Sequence, residues 1–384
     1  MNKNNTLTVG IDASNLRQGG GITHLVELLR ATEPSYLGIK RIIIWGGQAT
    51  LNALDEYSWL DKRNLSVLDK SLFHRELWQR FSLSRAARDE GCEVLLVPGG
   101  SYAGNFSPVV TMSRNLLPFE MKELLRYGLS IRAIRLLVLR LTMSQSLRKA
   151  DGIIFLTQYS HKAVLKVTGD LGGKTCIIPH GMHRRFNRAP KEQYSISNYD
   201  DENPYRIIYV STIDNYKHQW NVVEAVKILR SNGMPIVLDL IGSSIQPALK
   251  RLNKVISKLD PGQSWVNYMG AISYNDLHKY YLQSDLGVFA SSCENMPNIL
   301  LETMASGLPI ACSSNGPMPE ILGDTGVFFD PEQAITITRA LSKLINSSQL
   351  RSELSKASYE RAQQYSWRRC AEETFGFLNS IAKY

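Results

Sequence analysis

Short apolar runs alternate with helix-length segments along nearly the whole chain. That alternation restricts the fold to parallel sheets with helices on both faces. Residues 7–11, 41–45, 94–97, 109–112, 152–156 and 175–178 read as strands, with helical patterns between them, such as 22–31 and 72–90. The stretch 186–204, FNRAPKEQYSISNYDDENP, is polar, holds two prolines and has little periodicity, so it reads as a linker, centred on 191–203. The alternation then restarts, with strands over 206–210, 236–241, 266–269, 286–290, 309–311 and 326–329. Helices are expected over 220–231, 244–258, 274–284, 298–306 and 331–346. Two doubly wound domains follow, one over 1–190 and one over 204–366. Ligands of such sheets bind beyond the carboxyl ends of the strands, which places the expected site in a cleft faced by both domains.

At 384 residues the chain is too long for one core and suits two. Its formal charge of +9 favours anionic partners, namely phosphates, nucleic acid or an anionic membrane face. Only the charge speaks for nucleic acid, so no nucleic-acid partner is expected. The five cysteines, Cys92, Cys176, Cys293, Cys312 and Cys370, show neither close pairing nor metal-ligand spacing, and reduced thiols in a reducing compartment are expected. Residues 1–7 lack the apolar core of a secretory signal, and no apolar run approaches the roughly 20 residues of a membrane span. A cytoplasmic protein is expected, resting at most on the inner face of a membrane. Residues 126–149 mix leucine and isoleucine with Arg126, Arg132, Arg135, Arg140, Arg148 and Lys149. Such a segment suits an anionic lipid surface and equally suits a core-packed helix with a solvated basic face.

The segment 291–321, SSCENMPNILLETMASGLPIACSSNGPMPEI, carries the most chemistry. Glu294 lies in the loop after a strand, and Met296-Pro297-Asn298 enters a helix with Pro297 set for its start. Asn298, Glu302 and Ser306 are spaced by four and share one helix face. Amides at a helix start hold phosphate. A carboxylate repels phosphate but accepts hydrogen bonds from two vicinal hydroxyls. Two glutamates flanking an anion-binding turn therefore fit a sugar on one side and a ribose on the other. Spacing alone leaves open that both are solvated surface glutamates.

Glu294 and Glu302, followed by Thr303-Met304-Ala305-Ser306-Gly307-Leu308-Pro309, resemble the E-x7-E and Ala-Met-Ala-x-Gly-x-Pro stretch of glycosyltransferase family 4. Asn315-Gly316 and Pro319-Glu320-Ile321 continue the likeness. Gly19-Gly20-Gly21, Thr157-Gln158-Tyr159-Ser160, Ile178-Pro179-His180-Gly181 and Tyr365-Ser366-Trp367 resemble further family segments in the same order. A lone triple glycine also suits a plain turn, and His180 reads as structural. Ser211 to Ala225 resembles the Gly-Arg-Leu-x3-Lys segment, with Lys217 at its lysine and Thr212 where many relatives place arginine. Arg114-Asn115 aligns with a histidine and its acidic or amide neighbour, which in many relatives reach the donor sugar.

The resemblance implies the GT-B fold: an α/β protein of two Rossmann-like domains facing a central cleft, the first completed by a helix over 367–384. It implies a metal-independent, retaining hexosyltransferase with no cofactor, moving a sugar from a nucleoside diphosphate sugar to a hydroxyl of a glycan or lipid-linked acceptor. The first domain would bind the acceptor and the second the donor. Catalytic roles fall to Lys217, Glu294 and Arg114. Donor contacts fall to Gly20, Gly21, Ser211, Thr212, Lys217, Gly242, Glu294, Asn295, Met296, Pro297, Asn298 and Glu302, and no residue is assigned to metal. Arg114 either replaces the cation absent at Thr212 or holds an anionic acceptor. An inactive sugar-nucleotide sensor of the same fold is the alternative.

Overall fold

The computed structural model describes residues 7–17 and 19–383; residues 1–6, read above as lacking a signal, and Tyr384 lie outside them. The chain forms two compact units. Unit 1 comprises residues up to Leu124, Leu129–Gly181 and Ser366 onward, and unit 2 comprises Leu125–Gly128 and Met182–Tyr365.

Unit 1 is built on seven parallel strands: β1 (Leu7–Asp12), β2 (Ile39–Trp45), β3 (Leu60–Arg63), β4 (Val94–Val97), β5 (Val109–Met112), β6 (Gly152–Phe155) and β7 (Lys174–Ile177). Their order is β3-β2-β1-β4-β5-β6-β7, so the direction of winding reverses between β1 and β4. Unit 2 holds β8 (Tyr205–Val210), β9 (Ile236–Ile241), β10 (Val266–Tyr268), β11 (Leu286–Phe289), β12 (Ile310–Ser313) and β13 (Val327–Phe329), ordered β10-β9-β8-β11-β12-β13 and reversing between β8 and β11. The central strands are apolar on both faces because helices cover both, and β1, β4, β9 and β11 are buried throughout.

Several elements differ from the sequence reading. Strand β3, with sequence LDKR, has no apolar alternation to betray it; it pairs only with β2, at the sheet edge, where charge is tolerated. The helix expected over 72–90 is divided into Leu72–Trp78, a π turn over Gln79–Leu83, and Ser84–Asp89. The extra residue of the π turn directs Gln79 inward, where its amide donates to Asp12 Oδ2 and its carbonyl accepts from the Ala103 amide at 2.9 Å. Burial pushes the Asp12 carboxyl above the usual carboxylate range. The basic segment over 126–149 is not one helix. The helix is Ile131–Lys149, capped by Ser130, and residues 125–128 belong to unit 2. A helix over Ser348–Ala362, too polar to show an apolar period, was not anticipated.

The boundary between the units falls at Gly181/Met182, not at 190, and 191–203 is no free linker. Asp285 accepts from Lys191 Nζ at 2.7 Å and from the Tyr199 hydroxyl at 3.3 Å. Arg351, wholly buried, donates to Gln193 Oε1 at 3.0 Å, to the carbonyls of Leu344 and Ile345, and to the Tyr194 carbonyl. The stretch is polar because its partners are polar, and low hydropathy alone cannot distinguish that from a solvated tether. Arg351→Leu would leave buried carbonyls without donors. It is expected to cost about 3 kcal/mol, seen as a melting midpoint lowered by roughly 6–12 °C.

Candidate active site

Unit 2 places its chemistry where its sheet changes direction. Loops leave β8 and β11, the two strands that flank the reversal, and such a point opens a crevice. The β8 loop passes Ser211 and Thr212 and enters a 3-10 turn, Asn215–Lys217. Asp214 caps that turn, with Oδ1 accepting from the Asn215 amide at 2.7 Å and from the Tyr127 hydroxyl at 3.0 Å. His218 follows with φ of 50° and contacts Ser292 Oγ through Nε2 at 2.9 Å. Burial, with Arg126 adding to it, lowers the His218 imidazole to about 4, so the ring is neutral at pH 7. The Ser292 amide donates to the Tyr216 carbonyl at 2.8 Å, which joins the β8 loop to the β11 loop.

That junction brings Lys217 and Glu294 together, Nζ against Oε1, with both side chains largely buried. The ammonium also lies 5.0 Å from the centre of the Tyr216 ring and 5.6 Å from that of Phe289. Burial opposes its charge, but the Glu294 carboxylate outweighs that and holds the Lys217 pKa above the usual lysine value. The site therefore contains a fixed cation in an enclosed, partly aromatic setting.

The loop continues through Asn295 and Met296, both buried, to Pro297. Pro297 is the N-cap of the Asn298–Ala305 helix, which starts where the sequence placed it, and the Pro297 carbonyl accepts from the Leu300 amide at 3.0 Å. Glu302 lies on the second turn, 3% exposed. Its Oε1 accepts from the Tyr274 hydroxyl at 3.0 Å, while Oε2 is buried with no partner. Burial raises the Glu302 carboxyl to about 8; Tyr274 and Arg185 only moderate the rise. It is thus protonated at neutral pH, with an oxygen able to meet a ligand hydroxyl. Glu302 forms its own group with Tyr274 and does not contact the Lys217–Glu294 pair through any hydrogen bond. Tyr274 and Arg185, whose guanidinium lies 5.0 Å from the Tyr274 ring centre, were not anticipated because neither stands in a recognisable motif.

Ser211, Thr212 and Gly242 line the start of the β8 loop. Thr212 Oγ1 lies 3.2 Å from Ser243 Oγ, and Gln219 donates to the Thr212 carbonyl at 3.0 Å. At Gly242 φ is 148°, and a methyl there would overlap the Ser211 carbonyl, so glycine is required.

Gly20, Gly21 and Arg114 lie in unit 1. Arg114 Nη2 donates to the Gly20 carbonyl at 2.5 Å and Nη1 to the Gly21 carbonyl at 3.2 Å, beneath the start of the Gly20–Arg30 helix. Burial lowers its pKa to about 10, and Nε is buried with no acceptor. Arg114 therefore braces the glycine loop. His180 is buried against His24 and Trp367, with ring centres 4.7 and 5.7 Å away, as suits a packing role.

Residues 190–361 match the family model of glycosyl transferases group 1. The match covers the Lys217, Glu294 and Glu302 region. The O-antigen chain mannosyltransferase B of Escherichia coli is 22% identical over 245 residues, 61% of each chain. The sulfoquinovosyl transferase SQD2 of Arabidopsis thaliana is 30% identical over 172 residues, 38% of this chain and 34% of that protein. The chain thus aligns with less than two thirds of the length of these relatives. Among solved structures, the sucrose-phosphate synthase of Thermosynechococcus elongatus superposes with a TM-score of 0.77 at 18% identity, covering 98% of this chain and 99% of that one. Anabaena HepE in complex with UDP-glucose gives 0.70 at 14% identity, covering 98% and 99%. These likenesses establish the fold as GT-B, two parallel-sheet α/β units, and the group 1 homologues are glycosyltransferases.

Proposed function

We propose that this protein is a retaining glycosyltransferase that moves a sugar from a nucleoside diphosphate sugar to a hydroxyl of a glycan, carried on a lipid in bacterial surface-polysaccharide synthesis. The observation that carries this reading is the buried Lys217–Glu294 contact at the sheet reversal of unit 2, followed by a helix start and then Glu302 with an unpaired oxygen. The Lys217 ammonium stabilises negative charge on the departing diphosphate, and the amides after Pro297 contribute to the same end. Glu294 takes sugar hydroxyls on its second oxygen, and Glu302 takes the ribose. In transfer the bond from the anomeric carbon to the diphosphate oxygen breaks and a bond to the acceptor oxygen forms. The acceptor's proton passes to the departing diphosphate. Asn295 and Met296 shape the floor of the donor site, and Ser211, Thr212 and Gly242 bring backbone close to it. Arg114 holds Gly20 and Gly21 in place, so its effect on turnover runs through the loop. Relatives include a mannosyltransferase, and HepE has been captured with UDP-glucose, so both nucleotide classes belong in the test.

A thermal-shift panel of nucleoside diphosphates and their sugars, UDP-glucose and GDP-mannose among them, should show stabilisation by one nucleotide class. Slow hydrolysis of that donor is expected from a transferase. Binding without hydrolysis would mark a sugar-nucleotide sensor instead, and absence of any shift would overturn the reading.

A further inference from the structure

Two helical stretches of unit 1 expose apolar rows to solvent. Phe73 and Phe81, with Leu77 between them, repeat at a spacing of four across the divided helix, and Ile131, Ile134, Val138 and Leu141 repeat at helical spacing on Ile131–Lys149. Apart from Leu77, each is at least 55% exposed. A solvated helix would place polar residues there.

Charge accompanies these rows. Ile131–Lys149 contains Arg132, Arg135, Arg140, Arg148 and Lys149 and no acidic residue, whereas residues 72–89 contain four arginines against Glu76 and Asp89. Five and two make seven of the chain's formal surplus of nine. Among the described residues, Arg80, Arg85, Arg135 and Lys149 form no ion pair. Both stretches border one cavity of about 380 Å³, to which the first contributes Glu76, Gln79 and Arg80 and the second Thr142, Gln145 and Lys149. Its other walls include Asn15 and Ser101, which follow β1 and β4, the strands at the sheet reversal of unit 1.

We propose that these two helices form a docking face for an anionic lipid bilayer, with the polar cavity opening between them. Phe73, Phe81 and the aliphatic row would enter the head-group boundary while the arginines meet lipid phosphate. A second copy of the same chain is a poor occupant, since two faces this basic repel. The docking does not depend on the transferase reading. What the cavity would receive, the sugar of a lipid-linked acceptor, does rest on it.

Flotation of the full chain with vesicles of 30% phosphatidylglycerol in phosphatidylcholine tests this, with pure phosphatidylcholine as the control. Binding to the anionic vesicles, weakened at least tenfold between 50 and 500 mM salt, is expected. The triple variant Ile134→Ser, Val138→Ser, Leu141→Ser and the pair Phe73→Ser, Phe81→Ser should each weaken partition at least tenfold. Their nucleotide-induced thermal shift should match that of the parent chain, which shows that folding and unit 2 are intact. Equal partition to both vesicle types, no partition at all, variants that bind like the parent, or a salt-resistant dimer that buries this face would each overturn the proposal. Loss of nucleotide binding by the parent chain would instead overturn the transferase reading and leave the docking face standing.

Discussion

Lys217→Met is expected to lower kcat by a factor of about 10²–10³ while weakening donor binding far less, because the ammonium acts mainly on charge that develops as the glycosidic bond breaks. The same change should destabilise unit 2. Lys217 and Glu294 have side-chain exposures of only 11% and 15%, so removing one strands the other's charge. Losing one partner of a fully buried pair costs about 3–5 kcal/mol, and residual solvent contact here brings the expectation to about 2–3 kcal/mol. A double variant, Lys217→Met with Glu294→Gln, separates the two effects. It should recover most of the lost melting temperature, since no unpaired charge remains, and stay as inactive as the single variant. Steady-state kinetics and melting curves on the three proteins decide the matter. Turnover within threefold of the parent in Lys217→Met would remove the residue from catalysis.

The second large effect concerns pH. Glu302 is raised to about 8, against 4.5 when unfolded, so the folded unliganded protein holds that proton more tightly than the unfolded chain does. This contribution to stability is fully present below about pH 4.5 and is lost as pH rises to about 8. Ribose hydroxyls that donate to Glu302 need the ionised form, so donor binding must release a proton. Affinity should rise nearly tenfold per pH unit below the pKa, roughly fiftyfold between pH 6 and 8. Calorimetry in buffers of different ionisation enthalpy measures the released proton. The intact donor is the right ligand, because the terminal phosphate of a free diphosphate itself titrates near pH 6. Glu302→Gln should flatten the profile and weaken binding at pH 8 by about 10–100-fold, as expected for losing a charged acceptor. An unchanged profile in that variant would sever Glu302 from the nucleotide.

The sequence is most legible where local chemistry and fold agree. Most of the buried strands are apolar runs and could be read as such, and the reach from Glu294 to Glu302 fixes a loop, a helix start and one helix face. It is least legible where a residue answers to something distant. Leu60–Arg63 is a strand only because β2 offers it an edge. Gln79 turns inward through a π turn that no periodicity reveals. The polar stretch 191–203 resembles a tether until Arg351, some 150 positions later in the chain, is seen to hold it. Tyr274 is set against Glu302 by the approach of a separate element, which no spacing encodes.

The helix Trp367–Ala382 belongs to unit 1 although it follows unit 2 in the sequence. Gly181 fits against the Trp367 backbone, and Gly152 in β6 leaves room for Phe377 and Ile381. Unit 1 is thereby completed by residues that follow unit 2 in the sequence. On the ribosome, unit 2 has its full set of residues while the seam around His24 and Gly152 still awaits its cover. Nascent chains stalled before residue 366 should present that seam to chaperones, and a stop codon there should leave unit 2 folded and unit 1 prone to aggregate.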